Sequence, residues 1–256
     1  MFSNKTIIIT GAANGIGYAT AQAFLENGGK VVIADISVPD GKKAEATLCN
    51  NFGDNCMFIQ TDTSNEKNVE NMVKKTIERF GDISVLVNGA ARFIMKGINA
   101  TAEDWDSICK VNIAGYALCS KYCVPSMIKS GKGAIVNICS ISAFIAQPDF
   151  VTYAATKGAV VSMTRCMALD LAKYGIRVNA INPGTVWTDS NEKFHKEVLN
   201  MSRIDADNHP EIGGMHILKR TADPKEIAET ILFLSSEKAS YITAANLMVD
   251  GGYTAL

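Results

Sequence analysis

Lys5-Thr-Ile-Ile-Ile-Thr-Gly-Ala-Ala-Asn-Gly-Ile-Gly17 sets a β-branched run directly against three glycines. Residues 5 to 10 have the composition of a buried strand, and Tyr18 to Asn27, closed by Gly28-Gly29, reads as a helix. Between them Gly11, Gly15 and Gly17 make a turn whose backbone can approach a ligand closely. The first amides of a helix lack intrahelical partners and lie at its positive end, so a strand, glycine turn and helix in this order suit a pyrophosphate. The spacing is Gly-x-x-x-Gly-x-Gly, with Asn14 and Ile16 inside it, rather than the commoner Gly-x-Gly-x-x-Gly.

Outward from that junction the alternation continues. A second run, Lys30 to Ala34, delivers Asp35 at its carboxyl end, 18 residues after Gly17. A carboxylate there can accept hydrogen bonds from ribose hydroxyls and would repel a 2′-phosphate, and neither Ile36 nor Ser37 nor Asn14 supplies a compensating cation. NAD is therefore expected over NADP. A third run, Cys56 to Thr61, ends in Asp62, and a fourth, Ile83 to Val87, ends in Asn88. Asp62 is placed for an adenine and Asn88 for bracing the sheet edge. Helical stretches over about 41–51 and 65–80 separate the strands, which predicts an α/β chain with a doubly wound parallel sheet.

Composition excludes several classes. Lys+Arg 25 against Asp+Glu 26 gives a formal charge of -1, so no broad basic field exists for nucleic acid. No apolar run approaches the ~18 residues of a membrane span, and Met1 to Thr10 resembles neither a signal nor a transit peptide. Seven scattered cysteines without zinc spacing read as reduced thiols of a cytoplasmic chain. His195, His209 and His216 fall in a polar region, and no metal site is expected there.

The second half carries the chemistry. Residues 101 to 128 read as one helix, opened by Thr101 with Asp104 three later, and Asn112 lies inside it. Ala134 to Ile138 reads as a strand presenting Cys139 and Ser140, with Cys139 taken as packing because no histidine stands near it. On a helix over 150–172, Tyr153 and Lys157 share one face. A phenol titrates near about 10; an ammonium beside it favours phenolate and moves it toward acid/base service. Ser140, thirteen positions before Tyr153, offers a hydroxyl to hold a substrate oxygen.

Thr10-Gly11-x-x-x-Gly15-x-Gly17, Asp62, Asn88, Asn112, Ser140, Tyr153-x-x-x-Lys157 and Pro183-Gly184, in this order, resemble the short-chain dehydrogenase/reductase family along nearly the whole chain. The resemblance implies one Rossmann-type domain over 1–256 with a seven-stranded parallel sheet and helices on both faces. It implies Tyr153 as acid/base, Lys157 as its partner on the nicotinamide ribose, Ser140 orienting substrate, Asn112 holding a relay water, and Val186 and Thr188 binding the carboxamide. The full set of candidate dinucleotide contacts is Gly11, Asn14, Gly15, Ile16, Gly17, Asp35, Ile36, Asp62, Thr63, Asn88, Ala90, Tyr153, Lys157, Pro183, Gly184, Val186 and Thr188. It further implies a homotetramer through the helices at 101–128 and 150–172, the latter apolar or small on almost every side. Two departures stand out: Asn88-Gly89-Ala90-Ala91 replaces Asn-Asn-Ala-Gly, and Thr243-Ala244 replaces Thr-Gly. Enoyl reductases of this lineage place six residues between Tyr and Lys, against three here.

The polar stretch over about 188–216 breaks the rhythm and reads as a substrate lid containing a short helix with Phe194, Val198 and Met201 on one face. Candidate pocket residues are Arg92, Phe93 and Ile94, then Ser142, Phe144 and Gln147, and Trp187. Apolar walls with few polar groups suit a compact secondary alcohol or its ketone, the ring hydroxyl of a cyclic compound included, and Arg92 could meet a carboxylate. The rival readings are an NADPH-linked carbonyl reductase and a catalytically idle NAD-binding regulatory protein.

Overall fold

Seven β-rich runs become β1 (Thr6–Thr10), β2 (Lys30–Asp35), β3 (Cys56–Gln60), β4 (Ile83–Asn88), β5 (Gly133–Ile138), β6 (Ile176–Pro183) and β7 (Asn246–Val249). The computed structural model describes residues 1–256, the side chain of Phe194 excepted. The strands form one parallel sheet in the order β3-β2-β1-β4-β5-β6-β7. The direction of winding reverses between β1 and β4, which opens a crevice at their carboxyl ends, where open α/β sheets bind ligands.

Helices α1 (Gly15–Glu26), α2 (Val38–Phe52), α3 (Glu66–Phe80), α4 (Ala102–Cys109), α5 (Gly115–Lys129), α6 (Val151–Leu171), α7 (Asp189–Val198), α8 (Arg203–Asn208) and α9 (Pro224–Ser235) follow the chain. Strand residues alternate between the two sheet faces. Ile7, Ile9, Val31, Ile33, Val85 and Val87 join Phe24 of α1, Leu48 of α2 and Ile231 of α9 in one core. Ile8, Val32, Ala34 and Leu86 join Met72 of α3, Cys119 and Met127 of α5 and Ala168 of α6 in the other. Both faces are covered, so the central strands are apolar on successive residues instead of every second one.

Several boundaries differ from the sequence reading for local reasons. α1 starts at Gly15, inside the glycine turn. α2 starts at Val38, because the Ser37 hydroxyl caps the Asp40 amide. The run read as one helix over 101–128 is α4, a π-helical turn Lys110–Ala114, and α5, with the expected capping box at Thr101 and Asp104. Between 188 and 216 stand two helices, α7 and α8, instead of one. Met201 falls between them and Val198 is exposed; the proposed apolar face through Phe194 lies outside the described residues. No helix among the described residues is long and apolar enough to cross a membrane.

Candidate active site

The crevice begins at the glycine turn. A Cβ on Gly11 would stand 2.8 Å from the Ala90 Cα, and one on Gly17 would stand 2.2 Å from the Gly11 carbonyl oxygen, so bare backbone packs on bare backbone here. Asn14 provides no side-chain cap to α1, and the first turn holds no acidic residue. The amides of Gly15, Ile16 and Gly17 have no partner among the described residues. Three free donors at a positive helix end fit the diphosphate of a dinucleotide.

Around that turn, Asp35 accepts from the Ala13 amide at 3.1 Å through one oxygen and from the Ser37 amide at 3.0 Å through the other. It therefore ties the end of β2 to the glycine turn while keeping outward lone pairs, beside an exposed Ile36. Asp62 accepts from the Ser64 amide and hydroxyl, and Thr63 is buried against Gly115. Asn88 donates to Asn137 at 2.9 Å, Asn137 donates to the Thr164 hydroxyl at 2.9 Å, and this ladder crosses β4 and β5 to α6. The Thr10 hydroxyl accepts the amides of Gly89 and Ala90, pinning the turn after β4. Beyond Pro183, at the end of β6, Gly184 packs on His216 and Asp250. Val186 pairs with Ala222 while its own amide stays unbonded among the described residues. Thr188 caps α7 and reaches back toward Gly15.

On α6, Tyr153 is 6% exposed and Lys157 1%. The Tyr153 ring stacks on Phe93 with centroids 4.6 Å apart and meets the edge of Phe150 at 5.9 Å. Ser140 stands near enough to its hydroxyl to favour the phenolate. Lys157 Nζ donates to the Ile138 carbonyl at 2.8 Å and lies 3.4 Å from the Tyr116 hydroxyl. It sits 5.4 Å and 5.5 Å from the centroids of Tyr116 and Tyr153. The ammonium thus lies beside two rings and bonds elsewhere than the Tyr153 oxygen. Burial pushes Lys157 down to about 8. It pushes Tyr153 up, with Cys139 adding to the rise and a donating Ser140 hydroxyl opposing it. Desolvation dominates, and the lowering of the phenol expected from Lys157 is absent.

Asn112 sits in the π-helical turn, fully buried. Its Oδ1 accepts the Arg92 amide at 2.7 Å, and its Nδ2 donates to the Arg92 carbonyl at 3.0 Å and the Thr156 hydroxyl at 3.1 Å. Both amide protons are engaged, and the side chain clamps the backbone that leads to Phe93. Cys139 is a buried thiol donating to the Lys157 carbonyl, its pKa raised chiefly by burial.

Ser140, Ser142 and Gln147 come together with Tyr153. Ser140 and Ser142 hydroxyls are 3.0 Å apart, and Ser142 donates to Gln147 Oε1 at 2.6 Å. Phe93 and Phe144 are exposed at the mouth. The Arg92 side chain is exposed, and Trp187 packs instead on His195, centroids 5.0 Å apart. Among the described residues no three His, Cys, Asp or Glu side chains stand close enough to hold a metal ion. Tyr116 and Thr156 escaped the sequence reading, and Thr10 and His216 were named there without these contacts. Tyr116 stands four residues after Asn112, a weak signal of shared orientation that the π-helical turn disturbs. His216 accepts the Thr185 amide at Nε2 and contacts the Ile212 carbonyl through Nδ1, links that nothing local in sequence announces.

Comparison with known proteins places this geometry. Residues 11–254 match a family model described as enoyl-(acyl carrier protein) reductase. The meso-2,3-butanediol dehydrogenase of Serratia marcescens is 37% identical over 99% of this chain and 96% of that protein. The cis-4-hydroxycyclohexanecarboxylate dehydrogenase of Sinomonas cyclohexanicum is 33% identical over 100% and 98%. The solved structure of ElxO with NADP bound superposes with a TM-score of 0.89 at 31% identity, covering 98% of this chain and 99% of that one.

Proposed function

The chain is an oxidoreductase of the short-chain dehydrogenase/reductase family, and we propose that it interconverts a secondary alcohol, cyclic by preference, and its ketone with NAD(H). The observation that carries this reading is Tyr153 buried beside Ser140 against an apolar wall of Phe93 and Phe150, one helical turn from Lys157. A nicotinamide bound in the crevice supplies the hydride acceptor or donor. Tyr153 exchanges the alcohol proton, Ser140 holds the same oxygen, and the two phenylalanines exclude water from that transfer. Lys157 supplies the positive charge that keeps a phenolate tolerable in a buried site.

The free amides at Gly15, Ile16 and Gly17 would hold the diphosphate, Asp35 the adenosine ribose, Asp62 and Thr63 the adenine side, and the Val186 amide with Thr188 the carboxamide. Asp35 supports NAD over the NADP that ElxO carries. The spacing Tyr153-x-x-x-Lys157 argues against carbon–carbon double-bond reduction. Two relatives are named for a diol and a hydroxycyclohexanecarboxylate, which supports a compact alcohol. Segment 188–216 is read as a lid, and the working form as a cytoplasmic homotetramer.

The test is a screen of NAD+ reduction across butane-2,3-diol, cyclohexanols, sugars and hydroxy acids, with NADH and NADPH titrations alongside. Turnover is expected with a secondary alcohol, together with tighter NADH binding whose margin shrinks in Asp35→Ala. Tighter NADPH binding by the unaltered chain would contradict the cofactor assignment, and no turnover with any secondary alcohol would contradict the reaction.

A further inference from the structure

We infer that His216 is a positioning residue for the nicotinamide end of the cofactor: its ring fixes the Thr185 amide and, with it, the turn from Gly184 to Thr188. The inference rests on the dinucleotide reading above and deepens it. Thr185 stands just beyond the end of β6, one residue before the Val186 amide assigned to the carboxamide. Its own amide donates to His216 Nε2 at 3.2 Å, across 31 residues of sequence, and meets no other acceptor among the described residues. A backbone amide can only donate, so Nε2 must offer its lone pair. The Ile212 carbonyl, 3.0 Å from Nδ1, can only accept, so Nδ1 carries the proton. One tautomer serves both partners.

The surroundings hold the ring in that place. His216 is 2% exposed. A Cβ on Gly184 would stand 2.9 Å from Nε2, and one on Gly251 would stand 3.4 Å from the His216 Cβ, so bare backbone closes on the side chain from the ends of β6 and β7. Tyr253 meets the ring at a steep angle, centroids 5.2 Å apart. The Thr185 carbonyl accepts the Ala222 amide at 2.9 Å, so both backbone groups of Thr185 are engaged. Further along, Ala222 takes the Trp187 amide and Asn191 donates to the Val186 carbonyl at 2.7 Å. Loss of the Nε2 acceptor therefore frees the entry to the turn while its later residues stay tied. The contacts of His216 reach none of Gly15, Ile16, Gly17 and Asp35, which take the diphosphate and the adenosine ribose in this reading.

The test is calorimetric titration of NADH, and of ADP-ribose, which lacks the nicotinamide, into the unaltered chain and its variants. His216→Gln carries an amide out to the Nε2 position and keeps an acceptor for Thr185. His216→Asn reaches only as far as Nδ1 and loses it. His216→Asn should bind NADH about three- to tenfold more weakly, the scale of one neutral hydrogen bond, with ADP-ribose unchanged. His216→Gln should match the unaltered chain for both ligands. His216→Phe, a ring without an acceptor, should repeat the result of His216→Asn, and retained ADP-ribose binding shows that each variant is folded. A merely structural histidine would lower both affinities together, or would let His216→Gln fail as His216→Asn does. Either result, or unchanged NADH affinity in His216→Asn and His216→Phe, overturns the inference. If the unaltered chain binds ADP-ribose as tightly as NADH, the nicotinamide assignment of this turn has itself failed, and this inference with it.

Discussion

Lys157 is a buried cation with no carboxylate beside it: its partners are a carbonyl and a phenol oxygen. Its folded pKa of about 8 lies below the 10.5 of a free lysine. Between those values the unfolded chain binds more protons than the folded one, so stability rises with pH through that window. Below pH 8 the penalty is complete, on the order of 3 kcal/mol. Lys157→Met should therefore raise Tm at pH 7 by several degrees, flatten the rise toward pH 10, and abolish turnover. The Ile138 carbonyl keeps the Tyr116 hydroxyl at 3.0 Å as a donor, so no acceptor is orphaned. Melting curves at pH 7 and pH 10 check this, and a less stable variant at pH 7 would contradict it. Tyr153, Lys157 and Ser140 were legible as a set because one pair is four apart on a helix and the third ends a strand. Tyr116 was not, since its contact with Lys157 spans 41 residues of sequence.

At the scale of elements, the π-helical turn Lys110–Ala114 is the feature that sequence periodicity could not show. Its residues suit an ordinary helix, and the inserted residue changes the phase only locally. The turn aims Asn112 at the Arg92 backbone, 20 residues away, and thereby at the segment that stacks Phe93 on Tyr153. Asn112→Ala leaves part-buried backbone groups of Arg92 without their side-chain partner and should cost about 1–3 kcal/mol. A lower denaturation midpoint with reduced kcat is the expected outcome; unchanged stability would remove the clamp from the account. β1 to β5 were readable as apolar runs between turn signals. β6 and β7 were harder, since β6 carries buried Asn179 and Asn182, which bond the Ile242 and Leu247 carbonyls more than 60 residues on, and β7 is a short, partly exposed edge strand. Their presence was expected only from family resemblance.

For the molecule as a whole, alternation of strand residues into two cores explains why the α/β class was legible from runs of Ile and Val, while the helix contacts that finish each core were not. α6 leaves Leu169 80% exposed with an exposed Cys166 one turn before it, which supports its proposed role between subunits. Leu169→Arg should shift the mass seen by light scattering from tetramer toward smaller species; an unchanged mass would place the interface elsewhere. The central claim, that Tyr153 exchanges the alcohol proton, is tested most directly by Tyr153→Phe, which removes one oxygen and keeps the stacking ring. Turnover with a responsive secondary alcohol should fall by about 10²–10⁴-fold while NADH binding, followed by fluorescence, stays close to that of the unaltered chain. Retained turnover in that variant, with NADH still bound, would contradict it.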